Sequence, residues 1–483
     1  MDATTPGPLS PDLLDREDVR RALAEHDFAA AFTLIKKYGG LSQNRIASAC
    51  QLTPGKVSTI IGGHQQVTSF EVVRRISDGL RIPGRLLGLA PRSWEALHVE
   101  VGPSQEARNE RPRMEEIPWQ PAATVDLAAA LTRSDLVMDR RAVTRALAGT
   151  AISGAVLLDP LEGWLQPSAP PTSSRRRGRL GVREVEELES TARAYRTWDH
   201  RYGGGLRRKA VLGQLSEVAA HLDESQTPQV AQRLYQVMAQ LGGTAATMAW
   251  DSGLQRGAQN YYLLALRASH AADDTVFGAN VLAGMARQML YRDRPQDALE
   301  LVRLAQDGSR NVAGPRVRAM LHTREAWALS AMGRATAFRR ATAQATDALA
   351  SAGPGNDPYW IAYFDEAELA GVTGGRLLDL ARQGPQRNAE MAAIEIRRAL
   401  SRRGPEASRS HALDRIGLAE CHFFLGDLTG AVEEVDHALE AARATQSSRV
   451  RTQLGQLYPY TVRHSVSRQV REARDRIRDL LSD

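Results

Sequence analysis

The fold of this chain is decided by the stretch Leu41-Ser-Gln-Asn-Arg-Ile-Ala-Ser-Ala-Cys-Gln-Leu-Thr-Pro-Gly-Lys-Val-Ser-Thr-Ile-Ile-Gly-Gly63. It carries the signals of two short helices joined by a tight turn. Ser42 can cap the first helix and Thr53 the second, because a hydroxyl oxygen accepts hydrogen bonds from the unpaired N–H groups of a first turn. Pro54 suits the first position of the second helix, where its missing N–H costs nothing. The paired glycines at the end of the stretch terminate that helix.

The second helix has two unlike faces. At about 100° per residue, three apolar side chains share one face, namely Val57, Ile60 and Ile61. The other face is small and hydroxylic with one cation on its flank, and it comprises Gly55, Ser58, Thr59 and Lys56. Such a face can approach a base edge and a phosphate at the same time. A plain helical hairpin in an all-α core would show the same two-helix pattern and stays open as an alternative.

The stretch resembles the helix-turn-helix of the lambda-repressor/Cro type, the XRE family. Gln43 opens the first helix, Ala47 lies where the two helices cross, and the second helix follows the pattern Leu52-Thr53-x-x-x-Val57-Ser58-x-Ile60. The resemblance implies that double-stranded DNA is a partner, that Gln43 anchors a phosphate, and that positions 53 to 59 read bases. The residues expected to contact DNA are Gln43, Asn44, Arg45, Thr53, Gly55, Lys56, Ser58 and Thr59.

Amphipathic segments flank the stretch on both sides. Upstream, Asp27 can cap a helix whose apolar residues recur at Phe28, Phe32 and Ile35. Downstream, Thr68-Ser69-Phe70-Glu71 has the form of a capping box and opens a helix with Phe70, Val73, Ile76 and Leu80 on one face. We therefore predict a small helical domain over residues 27–90, preceded by a flexible tail over residues 1–26.

The composition favours helices throughout the chain. Of its 483 residues, 43% are hydrophobic and only 5% are aromatic, and β-branched runs are few. The formal net charge is +6, and the same excess is found within residues 36–85 alone, so the rest of the chain is neutral overall. That window holds Glu71 and Asp78 against Lys36, Lys37, Arg45, Lys56, Arg74, Arg75, Arg81 and Arg85. Such concentration favours phosphate binding.

Several functional classes are disfavoured. No P-loop, no His-Glu-x-x-His pattern and no pair of cysteines at metal-binding spacing is present, so we expect a non-enzyme without catalytic residues, metal site or cofactor. Cys50 and Cys421 are expected to be buried and reduced, and the start of the chain shows no export signal, which together predict a cytoplasmic protein. The apolar run over residues 146–158 follows Arg140 and Arg141 but is too short to span a membrane.

Two segments rich in proline bracket that run. Residues 91–135 are weakly patterned, and residues 167–181 combine prolines with the basic cluster Arg175–Arg179. We predict that residues 91–181 form a linker with one short apolar helix near residues 139–158, which is either buried or an interdomain contact.

From residue 182 onward the sequence is repetitive. A glycine or aspartate is followed five residues later by an apolar residue that begins a second helix, at Gly253, Asp293, Gly333, Gly384 and Gly426. Helix pairs that cannot bury their apolar faces alone must stack on their neighbours, so residues 182–483 are predicted to form an α-solenoid. The segment from Leu425 to Leu439 resembles a tetratricopeptide repeat. The predicted fold class is all-α, and the two parts together resemble a group of actinobacterial XRE regulators.

The concave face of the solenoid is the predicted ligand site. The first helices of stacked pairs line that face, where polar side chains have no structural task. The residues expected to bind a ligand are Asn280, Arg287, Tyr291, Arg324, Trp327, Tyr363, Asp365 and Glu366. Carboxylates beside aromatic rings would suit a cationic or amide-rich ligand. The alternative is that Asp365 and Glu368 pair with arginines of a neighbouring repeat, such as Arg397 or Arg324.

The leading hypothesis is a DNA-binding transcription regulator that acts as a homodimer and reads two half-sites one helical turn apart. Its solenoid would sense a peptide, a small molecule or a partner protein and mediate dimerisation. The alternative is a protein-interaction adaptor whose N-terminal domain does not read DNA. Two observations favour this adaptor alternative. Gly62 stands where the family usually carries a charged residue, and the loop over residues 64–67 is longer than usual. An antitoxin-like or phage-defence component shares the same N-terminal domain and stays open.

Overall fold

The computed structural model describes residues 9–67, 70–89, 94, 117–136, 151–168, 180–202, 208–353, 357–384, 387–404, 407–443, 445 and 447–482. All regular secondary structure in these ranges is helical. None of the helices described there is long and apolar enough to cross a membrane.

The N-terminal domain packs its helices around one apolar core. The described helices are α1 (Pro11–Asp15), α2 (Glu17–Ala24), α3 (Phe28–Gly39), α4 (Gln43–Ala49), α5 (Pro54–Ile61), α6 (Phe70–Leu80) and α7 (Gly84–Leu87). The apolar faces predicted from spacing are buried, including Phe28, Phe32 and Ile35 of α3 and Val73, Ile76 and Leu80 of α6. Thr68 and Ser69 of the predicted capping box lie outside the described residues.

The prediction of a flexible tail over residues 1–26 is wrong for residues 9–24. Ser10 caps α1 by accepting a hydrogen bond from the Leu13 amide (Oγ–N 3.3 Å), with Pro11 at the start of the helix. The apolar side chains of α1 and α2 enter the domain core, and they are Leu13, Leu14, Val19, Ala22 and Leu23. Proline content suggested an unfolded segment, whereas Ser-Pro here begins a helix, as Thr53-Pro54 does. Residues 1–8 lie outside the described residues.

Helices α4 and α5 begin where the capping residues predict. Ser42 Oγ accepts from the Arg45 amide and Thr53 Oγ1 from the Lys56 amide, both over 3.3 Å. In the turn between them Gln51 adopts a left-handed backbone with φ 52°. Its carbonyl oxygen accepts a hydrogen bond from Arg75 Nη1 of α6 (3.1 Å), which fixes the turn to the next helix.

Helix α6 crosses the end of α4 at a glycine. A Cβ atom at Gly79 would overlap the backbone carbonyl of Ala49, whereas a Cβ atom at Gly55 on α5 would meet no atom within 4 Å. The close approach of α4 and α6 therefore depends on the missing side chain of Gly79.

Gly79→Ala is expected to loosen the packing of α6 on α4, because overlap with a backbone atom forces the helices apart at a cost of about 1–3 kcal/mol. Gly55→Ala is the matched control and is expected to leave the domain equally or slightly more stable, since alanine favours helix. Hydrogen–deuterium exchange of peptides from α4 and α6 in the full-length protein measures both. Equal protection in the two variants would contradict the packing argument.

The segment predicted to be a linker over residues 91–181 is partly folded onto the repeats. Helix α8 (Pro121–Leu136) places Val125, Leu127 and Ala128 in the main apolar core. Its apolar side chains are mostly small, so its periodicity was weak and the neighbouring prolines dominated the prediction. Residues 90–93 and 95–116 lie outside the described residues.

A second folded part of that segment is residues 151–168, which we call the strap. It contains helix α9 (Ala155–Leu158) and a 3-10 helix (Asp159–Leu165). The predicted helix near residues 139–158 is thus a single turn within the described residues, and residues 139–150 lie outside them.

The strap is anchored to the repeats by polar and apolar contacts. The Gly154 amide donates to Asp297 Oδ2 (3.1 Å), and the buried Trp164 ring fills the space beside Gly278 and Gly308. A side chain at either glycine would overlap the ring, so the two glycines form its seat.

The rest of the chain consists of stacked antiparallel helix pairs, as the repeats predict. Helices α10 (Val182–Tyr202) and α11 (Arg208–Asp223) precede the pairs, and a 3-10 turn (Tyr359–Ile361) precedes the fourth. The pairs are α12 (Pro228–Asp251) with α13 (Gln255–Ala271), α14 (Thr275–Tyr291) with α15 (Pro295–Ser309), α16 (Pro315–Ala331) with α17 (Ala335–Ala350), α18 (Glu366–Gln383) with α19 (Arg387–Leu400), α20 (Ser408–Leu425) with α21 (Leu428–Arg443), and α22 (Ser448–Arg463) with α23 (Arg468–Ser482).

Four of the five predicted turns share one backbone conformation. Gly253, Asp293, Gly333 and Gly426 have φ values of 80°, 57°, 71° and 78°, the left-handed conformation that ends a helix. Gly384 differs, because its φ of −168° is extended backbone. Gly384 therefore ends α18 in another conformation, although its sequence pattern matches the others, and residues 385 and 386 lie outside the described residues.

The stack of pairs curves until its two ends meet. The buried carboxylate of Asp251, at the end of α12, accepts hydrogen bonds from Arg449 of α22 (2.8 and 3.2 Å) and from Arg409 of α20 (2.8 Å). Removing one partner of a buried ion pair leaves an uncompensated charge and costs several kcal/mol. This triad, which we call the closing triad, holds the ends of the solenoid together.

The N-terminal domain contacts the repeats directly. Helix α6 packs on α15, and Arg334 Nη2 donates to the Arg85 carbonyl (3.3 Å). The imidazole of His26 donates from Nε2 to the Leu87 carbonyl (2.7 Å) and accepts at Nδ1 from Arg303 Nη2 of α15 (3.0 Å). The two parts are therefore joined by a packed contact, and the predicted tether is not their sole connection.

The charges around His26 oppose its protonation. Burial, and then the charge of Arg303, hold the pKa of His26 well below its usual 6.5, with Arg334 adding to the effect. The Leu87 carbonyl and Glu325 act in the opposite direction but do not outweigh them.

Acid is expected to weaken this contact. As the pH falls below about 6.5, the unfolded chain takes up a proton that the folded state refuses, so the free energy of unfolding of the wild type decreases. His26→Gln offers one acceptor and one donor without titrating, so it removes this part of the pH dependence. Denaturant unfolding of both proteins between about pH 7.5 and 5 measures the difference, and parallel pH profiles would contradict the assignment.

Candidate functional site

The outward face of α5 is open to solvent. Of the eight residues expected to contact DNA, the exposed ones are Asn44, Arg45, Thr53, Gly55 and Ser58, and the half-buried ones are Gln43, Lys56 and Thr59. Thr59 Oγ1 donates to the Gly55 carbonyl (2.8 Å), which holds its hydroxyl against the helix surface. This face is therefore not packed against the interior of the described chain.

The basic residues of the window 36–85 have divided tasks. Arg75 fixes the turn after α4, and the Arg81 guanidinium lies 5.2 Å from the ring centroid of Trp94. Helix α3, which packs on α5, ends in the exposed Lys36 and Lys37, and α4 carries the exposed Arg45. Arg75 and Arg81 keep their positive charge in these contacts, so the window stays basic while two of its arginines also have structural roles.

The concave side of the repeats encloses a cavity of about 560 Å³. It is lined by α10 and by the first helix of each of the six pairs, as predicted for a solenoid. Six of the eight residues expected to bind a ligand line it, and they are Asn280, Arg287, Tyr291, Arg324, Trp327 and Tyr363. This volume suits a small organic molecule.

The other two predicted ligand residues do not line the cavity. Asp365 caps α18, its Oδ1 accepting from the Glu368 amide (2.8 Å), and Glu366 is exposed and pairs with Arg402. Glu368 does line the cavity, but it pairs with Arg403 (2.9 Å). The alternative of structural pairing therefore holds for Glu368, although its partner is neither Arg397 nor Arg324.

Most carboxylates in the cavity wall are already neutralised. Eight arginines and six carboxylates line the cavity, so positive charge is in excess. Arg403 bonds Glu368 and also Asp414 (2.5 Å), and Arg382 holds both oxygens of Glu420 at 2.6 Å. The expected preference for a cationic ligand is not supported by this arrangement, because the acids have little charge left to offer.

Three arginines of the wall have no carboxylate within ion-pair distance among the described residues, and they are Arg196, Arg287 and Arg324. Of these, Arg196 Nη2 donates to the Trp360 carbonyl (3.2 Å). Arg324 of α16 is only 2% exposed, and Arg287 of α14 is half-buried with its Nε enclosed and without a hydrogen-bond partner. Burial, together with the charges of Arg449 and Arg324, lowers the pKa of Arg287 to about 10.

An aromatic row lies beside these arginines. The ring centroids of Trp250 and Tyr291 are 5.4 Å apart, and those of Tyr291 and Trp327 are 5.3 Å apart, both edge to face. Arg376 stacks on Trp327 at 3.7 Å, and the Arg287 guanidinium lies 5.3 Å from the Trp250 centroid. The cavity therefore combines planar apolar surfaces with guanidinium groups.

Sequence reasoning missed Asp199, which lines the cavity from α10. The residue is 3% exposed, and its Oδ1 has no hydrogen-bond partner among the described residues. Burial raises the pKa of Asp199 to about 6, although Arg409 pulls it in the opposite direction. No local pattern marks this residue, because its neighbours come from the far end of the chain.

Asp199→Asn is expected to stabilise the protein at neutral pH by roughly 2–3 kcal/mol, because it removes the cost of a buried charge. A carboxyl with a raised pKa contributes stability that is present below its unfolded value, 3.8, and lost as the pH rises through about 6. The advantage of the variant should therefore be full above pH 6 and vanish toward about pH 4. Urea unfolding at several pH values measures it, and a constant difference would refute the assignment.

The described residues offer no other obvious chemical centre. No group of three or more His, Cys, Asp or Glu side chains among them could hold a metal ion. Cys50 and Cys421 are buried as predicted, and burial raises the pKa of each thiol to about 12, so neither is activated as a nucleophile.

No family model, curated protein or solved structure matches the chain. Its function is therefore inferred from the geometry of its own surfaces, the α5 face and the cavity.

Proposed function

We propose that the protein is a DNA-binding transcription regulator whose repeats bind a ligand in the cavity. Helix α5 contacts the bases of duplex DNA, and α4 anchors the phosphate backbone. The observation that carries the proposal is the open face of α5, where small and hydroxylic side chains stand beside Lys56 on a capped helix.

The shape of this face suits a groove. An α-helix fits the major groove of B-DNA when its outward side chains are short enough for close approach. Gly55 and Ser58 meet that condition, and Lys56 is long enough to reach a phosphate. The exposed Thr53 places the N-terminal end of α5 at the surface, where backbone N–H groups and the helix dipole attract an anion.

The cavity is linked to the N-terminal domain through α16 and then α15. Arg324 of α16 lines the cavity, and the Oε1 atom of the next residue, Glu325, lies 3.9 Å from Arg303 Nε of α15. The Nη2 atom of the same arginine donates to His26. A ligand that prefers one position of α16 would therefore bias the contact between the two parts. The coupling requires different ligand affinities for the DNA-competent and DNA-incompetent arrangements.

The active form in this proposal is a homodimer in the cytoplasm. Two copies would place two α5 helices in successive major grooves, so the operator would contain two half-sites about one helical turn apart.

Lys56→Ala is expected to weaken binding of the full-length protein to its own promoter region and to reduce the salt dependence by about one counterion, because a phosphate contact is lost. Thr59→Ala should weaken binding with less change in salt dependence. Fluorescence anisotropy over a series of salt concentrations measures both. The matched control is Lys209→Ala, which removes an exposed lysine from α11 and should leave DNA binding unchanged.

Two results would count against the proposal. The first is a DNA affinity that does not change with salt concentration, or the failure of the protein to retain any fragment from a library of genomic DNA. Either outcome would favour the adaptor hypothesis. The second is equal binding by the Lys56→Ala and Lys209→Ala variants, which would place the DNA contact elsewhere.

A further inference from the structure

We propose that the cavity is a receptor for a small organic anion, a carboxylate or phosphate ester attached to a planar group, which binds to Arg287 and Arg324. This inference deepens the ligand half of the proposed function and rests on it, but its test involves no DNA. Its failure can therefore be distinguished from failure of DNA binding.

The first step is the distribution of charge in the wall. Glu420 is bonded to Arg382, and Glu368 and Asp414 share Arg403, all within 2.9 Å, so these two arginines have no charge left for a ligand. Arg376 is similarly placed beside Asp379 (3.2 Å). Asp199 is also unpaired, but the wall has eight arginines against seven carboxylates when Asp251, the partner of Arg409 and Arg449, is included, so positive charge stays in excess.

The second step is the lack of an ion pair at the remaining guanidinium groups. Arg196 donates to the Trp360 carbonyl, which leaves Arg287 and Arg324 as the candidates for a ligand. Arg287 and Arg324 come from adjacent helix pairs, and the charge of Arg324 contributes to lowering the pKa of Arg287. Both also stabilise the charged form of Glu368 without approaching it within ion-pair distance. A buried cation without a partner is costly, and a ligand anion would compensate both at once.

The third step is the surface next to these cations. Tyr291 and Trp327 line the cavity and face one another edge to face, with Arg376 packed on Trp327. A planar group attached to the anion can pack against this surface, while Asn280, one further polar side chain of α14, offers both a donor and an acceptor. The combination favours an anion with an aromatic or conjugated part over inorganic phosphate alone.

The fourth step concerns size. A volume of about 560 Å³ holds a molecule of a few tens of atoms at most. A folded protein partner does not fit inside this space.

The experiment uses the full-length protein and three aromatic probes in isothermal titration calorimetry. Phenyl phosphate and benzoate carry the two anionic groups, and benzamide is their neutral counterpart. Saturable binding of at least one anion, with no binding of benzamide, is the expected result. Tighter binding of phenyl phosphate would identify a phosphate ligand, and tighter binding of benzoate a carboxylate ligand.

Two site variants and two controls locate the binding. Arg287→Gln and Arg324→Gln should each weaken binding of the better probe at least about tenfold, because each removes a charge-assisted hydrogen bond. Arg339→Gln removes an exposed arginine of α17 and should bind like the wild type, and so should Lys56→Ala, which tests for binding to the N-terminal domain. Wild-type affinity in both site variants, or loss of affinity in either control, would overturn the proposal, as would no binding of either anion to the wild type.

A stability measurement separates a binding role from a structural one. Without ligand, Arg287→Gln should unfold at the same or a higher temperature than the wild type, because it removes an uncompensated charge. Arg403→Gln should unfold at a lower temperature, because it strands Glu368 and Asp414. Equal destabilisation by the two substitutions would show that Arg287 is a structural residue and would overturn its assignment to a ligand.

Discussion

The closing triad is the constraint on which the rest of the solenoid depends. Helix pairs stacked in one direction would otherwise form an open arc, with their polar concave faces in water. Asp251 joins the first pair to Arg409 and Arg449 of the last two pairs, and this contact holds the two ends of the arc together. Arg409 and Arg449 also line the cavity, so the same contact supplies part of the cavity wall.

Burial of the cavity wall also explains why most of its charged side chains form ion pairs. A guanidinium buried beside a carboxylate is tolerated, whereas either group alone carries a desolvation cost. The wall follows this rule at Arg382 and Arg403 and departs from it at Arg287, Arg324 and Asp199. Departures from pairing are expected where a structure serves binding, because a site optimised for its own stability would leave nothing for a ligand.

Local signals could be predicted from the sequence, and long-range contacts could not. The caps at Ser42 and Thr53, the buried faces of α3 and α6 and the left-handed turns of four pairs follow from residues close together in the chain. Asp199 and Asp251 acquire their partners from positions well over a hundred residues away, and no periodicity reveals such pairing. The helices within residues 9–24 and helix α8 could not be predicted, because prolines in the first segment and small apolar side chains in the second conceal the helical periodicity. Six of the predicted ligand residues line the cavity, five of them because the first helix of a pair faces inward, while Tyr363 reaches it from the segment before α18. Asp365 and Glu366 stand at the start of α18, where capping and surface pairing occupy them.

The seat of Trp164 has a consequence for the order in which the chain folds. The strap precedes the repeats in the sequence, yet its anchors at Gly278, Asp297 and Gly308 follow it by more than a hundred residues, the amide of Gly154 and its acceptor being 143 positions apart. During synthesis the indole ring therefore leaves the ribosome before its binding surface has been made. The strap therefore stays exposed until the two downstream pairs that bind it have been synthesised and folded. It can dock only after this part of the solenoid has assembled.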